Sequence, residues 1–413
     1  MSKLISVEEY AIYIYNIEIT DDKPNKNCNL LKYKLSEYKN SDTKIIKFRP
    51  TNYDMDNEIW KLFDKLYDII DNEETIYLKL SNKDNLIPIL VITIINYLKV
   101  VKNIKIGCIS YEDSKSNLKP VFDITSLDII LSWTKAIDKF VHNGDSKEIH
   151  ELAEKRGNMI SKISHGENKY GSYLRSFGNN IENFTEHIQS SRGYEIDTFQ
   201  YDKLKYYIEE VKLGSPLPPM KPLLDMILDK IEDFSTENLY NGLNAVKWCI
   251  DNNLTQQGYT LLRENIINII IYQIVYHLDI ENFTIEDLKN SNIREAIEDA
   301  LIYKFIMEHN LENNRDTEVY TFIKYVNDGE NNIKNDIKNN IVYKLDVKEI
   351  SKSIDSKICN IYKSVSDLRN DINHAGYKIN HIQNPQKFKD NLERHYIQLL
   401  DYIYNTNNTK RNK

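Results

Sequence analysis

The chain has 413 residues, a formal net charge of -8, and 41% hydrophobic against 28% charged residues. At roughly 150 residues per domain this length predicts two or three domains, and the composition excludes wholesale disorder and collagen-like or mucin-like chains. The acidic balance argues against a protein that coats nucleic acid by bulk electrostatics, while leaving room for a local basic groove.

Residues 1 to about 125 alternate short β-like runs with helical ones. Ala11–Ile19, Lys44–Phe48, Thr75–Leu80 and Ile104–Ser110 read as strands. Between them Glu58–Ile70 carries apolar residues at helical spacing, and Pro88 sits where the first turn of the next helix would start. Such alternation predicts an α/β layer with a largely parallel sheet. The apolar run Leu86–Val101 is shorter than the ~20 residues of a bilayer span and contains Asn96 and Lys99, so it reads as a buried helix. From Ser126 onward helical periodicity takes over. Ser215–Pro222, with four of the nine prolines, reads as the clearest linker. After it Thr236–Asp251, Leu254–Leu278, Ile285–His309, Val319–Val326, Ser351–Leu368 and Gln386–Tyr404 read as an α-bundle, interrupted by a low-complexity stretch at Asn327–Asn340.

Several chemistries are excluded by spacing. The first glycine is Gly107, so no Walker loop or GxGxxG can precede it, and GxSxG, HExxH and EF-hand patterns are absent. Cys28, Cys108, Cys249 and Cys359 lie too far apart for a zinc-type pair or a dense disulfide framework, which predicts no metal site and suits a reducing cytoplasm. The start MSKLISVEEY lacks the features of a secretory signal, which predicts no export. His142, His150, His165 and His187 have no ligand spacing and read as surface or packing histidines.

The informative stretch is Leu368–Gly376, LRNDINHAG. Asn370 and His374 are an i, i+4 pair sharing a helix face; Arg369 stands four intervening residues before His374. Taken alone, this spacing also fits a polar helix face. In chemical terms His374 can take or give a proton near neutral pH, and Arg369 can stabilise charge developing on a phosphate. His381 and His395 flank the motif and are candidates to line the same cleft, while Arg263 and Glu264 are expected on a neighbouring helix, as a core-edge pair or a supporting salt bridge.

The Arg-Asn-x-x-x-His arrangement near the end of an α-bundle resembles the signature of HEPN ribonucleases, in which two protomers form one composite site. A second resemblance covers more of the chain. Glu58, Ile59, Trp60, Leu62 and Phe63, the strand Ile76–Leu80, Ile87-Pro88 and the segment Pro120–Asp145 are similar to the N-terminal half of the DxTHG-motif CRISPR-associated CARF-HEPN effectors. Trp248–Asn265 resembles the helix pair that opens the HEPN region of that family.

The family's Asp-x-Thr-His-Gly-Phe-Arg positions carry Lys79, Leu80, Ser81, Asn82, Lys83, Asp84 and Asn85 here, so the pocket that binds a cyclic oligoadenylate activator in intact members is degenerate. Its candidate ligand contacts are Lys79, Ser81, Asn82, Lys83 and Asn85. The same segment also fits an ordinary strand-to-helix connection with solvated charges.

The resemblance implies a fold of α/β plus all-α class: a degenerate Rossmann-like CARF domain over residues 1–125, a helical connector and linker over 126–222, and a HEPN helical bundle over 223–413. It implies a cytoplasmic homodimer, joined through both end domains, in which Arg369, Asn370 and His374 cleave single-stranded RNA without a metal or other cofactor. The substrate's 2′-hydroxyl is the nucleophile, the products are a cyclic phosphate and a 5′-hydroxyl, and DNA is excluded. Membranes are not expected partners. The alternative is a non-catalytic binding or assembly protein that kept the scaffold.

Overall fold

A computed structural model describes residues 10–16, 43–48, 55–81, 86–113, 115–118, 120–236, 238–277, 283–311, 333–338, 341–375, 377 and 384–411. It divides into two compact units: Met1–Ala136, Leu152–Arg175 and Val211–Leu223 form the first, and Ile137–Glu151, Ser176–Glu210 and Leu224–Lys413 the second. Residues 126–222, expected as a connector, contribute to both.

The first unit is built on a five-stranded sheet in the order β2-β1-β3-β4-β5, from β1 (Tyr10–Asn16), β2 (Thr43–Phe48), β3 (Thr75–Ser81), β4 (Lys105–Glu112) and β5 (Val121–Asp123). Only β3 and β4 pair in parallel; β1 runs antiparallel to both β2 and β3, and β5 runs antiparallel to β4. The expected largely parallel sheet is therefore corrected to a mixed one. Periodicity detects strands but not their direction, and the three-residue β5 is too short to show any period.

Helices α1 (Met55–Ile69) and α2 (Leu86–Val101) supply the apolar side of this unit. Leu62 and Leu66 of α1 pack in one core with Ile76, Leu78 and Leu80 of β3 and Val91, Ile95 and Leu98 of α2. The β3–β4 register slips between Ile76 and Tyr77, leaving Gly107 as the extra residue of a bulge. A Cβ there would stand 2.5 Å from the Tyr77 ring, so the first glycine of the chain serves packing.

The helices that follow are α3 (Thr125–Asn143), α4 (Lys147–Ile163), α5 (Lys169–Gln189), α6 (Gly193–Asp197), α7 (Tyr201–Gly214) and α8 (Met220–Lys230). Ser215–Pro222 is not an open linker. Ser215 Oγ accepts the Leu217 N–H at 3.2 Å, and the segment runs directly into α8 at the buried Met220.

In the second unit α9 (Asn241–Asp251), α10 (Thr255–His277), α11 (Ser291–Glu308), α12 (Val347–Ser353), α13 (Ser356–Asn373) and α14 (Pro385–Arg411) form the helical array expected there. Its core contains an aromatic cluster. Phe184 makes edge-on contacts with Tyr201, Phe234 and Trp248, at centroid distances of 5.8, 5.1 and 5.2 Å, an arrangement favoured by ring quadrupoles.

A hairpin of β6 (Ile333–Lys338) and β7 (Ile341–Asp346) lies partly in the stretch read as low complexity. The expected helix Val319–Val326 lies outside the described residues. Cys249 and Cys359 are free and buried, whereas Cys108 is disulfide-bonded, a pairing that sequence spacing did not suggest. Among the described residues no helix is long and apolar enough to cross a membrane.

Candidate active site

Helix α13 starts with Asp355 as N-cap, its carboxylate accepting the Lys357 N–H at 2.7 Å, a contact that satisfies one of the orphan donors of the first turn. Ile358, Ile361, Tyr362, Val365 and Leu368 bury one stripe of it. The helix ends at His374, whose N–H donates to the Asn370 carbonyl at 3.0 Å, before Ala375 turns to a φ of 52°. The candidate triad thus occupies the last turn and cap of a helix held by its apolar stripe.

Within that turn the three side chains differ. His374 is exposed, whereas Arg369 and Asn370 are half-buried. Arg369 Nη1 reaches Asn370 Oδ1 only at 3.5 Å, and Arg369 Nε is buried with no hydrogen-bond partner. An unmatched guanidinium N–H is costly to bury, so this arginine has donor capacity that the protein itself does not fill. At about 100° per residue the side chains of Arg369 and His374 leave the helix about 140° apart, and one chain's motif does not converge on a single point. Next to them Asp371 is buried with an unpartnered Oδ1.

Toward the N-terminus of α13, Tyr362 stands two turns before Arg369 on the same face. Arg263 of α10 lies over its ring at 5.4 Å and bonds Glu264 at 2.6 Å and Glu298 of α11 at 2.8 Å, while Arg294 bonds the other oxygen of Glu264. Burial opposes the charge on Arg263, but Tyr362, Glu298 and Glu264 outweigh it and hold the guanidinium above its ordinary range. Arg263 and Glu264 therefore belong to a half-buried network that fixes α10 and α11 against α13.

His395 does not join the motif. It is buried, with Nε2 2.9 Å from Ser364 Oγ and Nδ1 3.0 Å from Gln398 Oε1, and burial lowers its pKa despite Gln398. Both ring nitrogens are occupied, Nε2 by Ser364 of α13 and Nδ1 by Gln398 within α14, which corrects the expectation that it lines the same cleft. His381 lies outside the described residues. His187 packs edge-on against Phe199, and His142 is exposed beside Asp138. Among the described residues no group of three or more His, Cys, Asp or Glu is placed to hold a metal ion.

At the end of β3, Lys79 forms a 2.6 Å ion pair with Glu112 of β4. Ser81 closes the strand opposite Glu112 in register; Asn82, Lys83, Asp84 and Asn85 lie outside the described residues, as does the Ser81 side chain. Of the candidate ligand contacts, the one whose side chain is described is already paired.

The residues of the Pro120–Asp145 segment serve packing and turns. Asp123 accepts the Thr125 N–H at 2.9 Å, and Thr125 Oγ1 accepts the Ile109 N–H at 2.8 Å, which seats the start of α3 on β4. Trp133, Ala136 and Phe140 are buried. Gly144 has a φ of 68°, and a Cβ on it would lie 2.7 Å from Trp248 Nε1.

Residues 129–244 match the family model for the second domain of CRISPR-associated protein MJ1674. The curated CRISPR-associated protein MJ1674 of Methanocaldococcus jannaschii is 25% identical over 235 residues, which cover 55% of this chain and 33% of that protein. Both similarities are to a CRISPR-associated protein. The chain thus spans about a third of the relative's length. The family-model match takes in the turn at Gly144 and Phe184, Tyr201 and Phe234 of the aromatic core; Arg369, Asn370 and His374 lie beyond it.

Sequence reasoning missed Asp197. Its side chain is buried, with Oδ1 unpartnered, and it lines a cavity of about 380 Å³ in the second unit. A signal was present in α10, where Asn265, Asn268, Tyr272, Gln273 and Tyr276 put polar atoms along one face of its isoleucine-rich C-terminal half.

Proposed function

We propose that this chain is an endoribonuclease of CRISPR-type defence that cleaves single-stranded RNA at a site built from Arg369, Asn370 and His374, without a metal ion. The carrying observation is the end of α13, where a half-buried arginine with an unpartnered Nε stands five residues before an exposed histidine. In the proposed reaction the substrate's 2′-oxygen bonds to phosphorus and the 5′-oxygen leaves, giving a 2′,3′-cyclic phosphate and a 5′-hydroxyl. His374 moves the proton between these oxygens, Arg369 balances charge on the phosphoryl oxygens, and Asn370 orients the group beside it. The CRISPR assignment draws on the similarity to MJ1674.

The divergence of Arg369 and His374 supports a composite site completed by a second copy. Exposed apolar residues on α14, Ile397, Leu400 and Tyr404, follow helical spacing and suit self-association. The sheet domain is proposed as a regulatory relic whose cyclic-oligoadenylate pocket no longer works in the ordinary way, because Lys79 is held by Glu112.

The test is cleavage of labelled RNA in EDTA by wild type mixed with an excess of the His374→Ala protein. Activity below simple dilution is expected, and cyclic oligoadenylates should not raise it. Activity strictly proportional to wild-type protein contradicts the composite site, and a need for added divalent metal contradicts the mechanism.

A further inference from the structure

The second unit holds the cavity beside Asp197 that the ribonuclease proposal does not use. Its volume of about 380 Å³ falls within the range of roughly 300–1,000 Å³ typical of small-molecule sites. One wall is α10, which contributes Asn268, Tyr272, Gln273 and Tyr276; Tyr240 and Asp197 also line the cavity.

The polar atoms there are unequally engaged. Asn268 Oδ1 accepts from Arg294 Nη1 at 2.7 Å and Gln273 Oε1 accepts from Tyr402 Oη at 3.1 Å. Arg294 can only donate, so its contact fixes the Asn268 amide and leaves that NH₂ as the group that can donate; the Tyr402 hydroxyl likewise occupies one end of the Gln273 amide and leaves the other end open. The Asp197 carboxyl accepts the backbone N–H of Gly242, yet its Oδ1 is buried without a partner. Its side chain is only 9% exposed, and a buried polar atom of this kind calls for a partner. Two tyrosines, Tyr240 and Tyr276, are 48% and 69% exposed at the same cavity and offer ring faces.

One acceptor, two amide donors and flanking aromatic rings match a flat heterocycle whose base-pairing edge bears an amino group next to an unprotonated ring nitrogen. We infer that this cavity binds a nucleobase of the adenine or cytosine type, with Asp197 Oδ1 accepting from the exocyclic amino group, the Asn268 or Gln273 amide donating to the ring nitrogen, and Tyr240 or Tyr276 covering the ring. Uracil presents a carbonyl oxygen where these bases present the amino group. The inference stands apart from the ribonuclease proposal, because none of these residues belongs to α13. Burial raises the Asp197 pKa to about 7 against the opposing effects of the Gly242 N–H and Arg294. A partner N–H would supply what the carboxylate now lacks.

The test is calorimetry on full-length His374→Ala protein in EDTA with adenosine, cytidine and uridine, and with short oligo(A) and oligo(U). Adenosine or cytidine should bind below about 1 mM, with uridine at least about tenfold weaker. The Asp197→Asn change should cost about tenfold or more, the scale of one charge-assisted hydrogen bond. Tyr276→Ala, at an exposed position compatible with folding, should weaken binding of the same ligands. Binding by the nucleosides alone identifies a free mononucleoside or nucleotide, and binding by oligo(A) alone with the same dependence on Asp197 identifies the base of an RNA strand. The inference is overturned if neither nucleosides nor strands bind, if uridine equals adenosine and cytidine, or if both variants keep wild-type affinity.

Discussion

At the carboxyl end of β3, Lys79 is held by Glu112 across the parallel strand pair, whereas at the carboxyl end of α13 Arg369 keeps a buried Nε without a partner and His374 points outward. Both places carry the charged residues that phosphate chemistry needs. They differ in whether the protein has already satisfied them. A cation neutralised by its own fold has little left to offer a ligand, while an arginine whose desolvation is only partly compensated gains from an incoming phosphate.

The largest expected effect sharpens this contrast. Replacing Arg369 or His374 with alanine should lower RNA cleavage by about 10²–10⁴-fold, the scale of one general acid-base group, with little change in melting temperature. Lys79→Ala should leave the rate unchanged. Equal losses at both places would erase the distinction.

Next in size is the aromatic core. Trp248→Ala, which removes a ring packed on Phe184 and Phe140, should cost about 3–5 kcal/mol in chemical denaturation. A smaller loss would mean that the contacts at Gly144 and Phe140 do not anchor the second unit.

Asp197 predicts a pH dependence. Its folded pKa of about 7 lies above the ordinary aspartate value of 3.8, so the folded protein retains a proton that the unfolded chain releases. Burying this group costs nothing below about pH 4, costs more as pH rises through the interval, and reaches its full cost of up to about 4 kcal/mol above pH 7. Asp197→Asn should therefore be more stable than wild type at pH 8 and equal to it near pH 3.5. A stability difference that does not change with pH would place the carboxyl in water.

The smallest effect is expected at Lys79. Removing its pairing with Glu112 should change stability by no more than about 1 kcal/mol, read as a small shift in denaturation midpoint. A loss several times larger would make that ion pair a structural keystone of the sheet.

Much of this architecture is written in short-range pattern. Leu86–Val101 is apolar except at a few positions such as Asn96 and Lys99 and forms a helix with the expected bounds, and the expected strands at Lys44–Phe48 and Thr75–Leu80 each differ from the observed ones by one residue. Strand direction is not so written: β1 turns antiparallel because of how distant segments pair, and β6 carries Lys, Asn and Asp at four of its six positions, residues whose local preferences are poor for strands. The candidate triad was legible because its residues fall within six positions of one another. The hydrogen bond between His395 and Ser364 and the cavity at Asp197 each join residues far apart in the chain. Only the polar stripe of α10 hinted at the last of these.

The most direct test of the central claim uses a labelled single-stranded RNA with one 2′-deoxy residue, incubated with the protein in EDTA. Cleavage should occur at ribose positions, leave 2′,3′-cyclic phosphate and 5′-hydroxyl ends, stop at the deoxy linkage, and vanish in the His374→Ala protein. Scission at the deoxy position, or undiminished cleavage by the His374→Ala protein, would contradict a ribonuclease built on the end of α13.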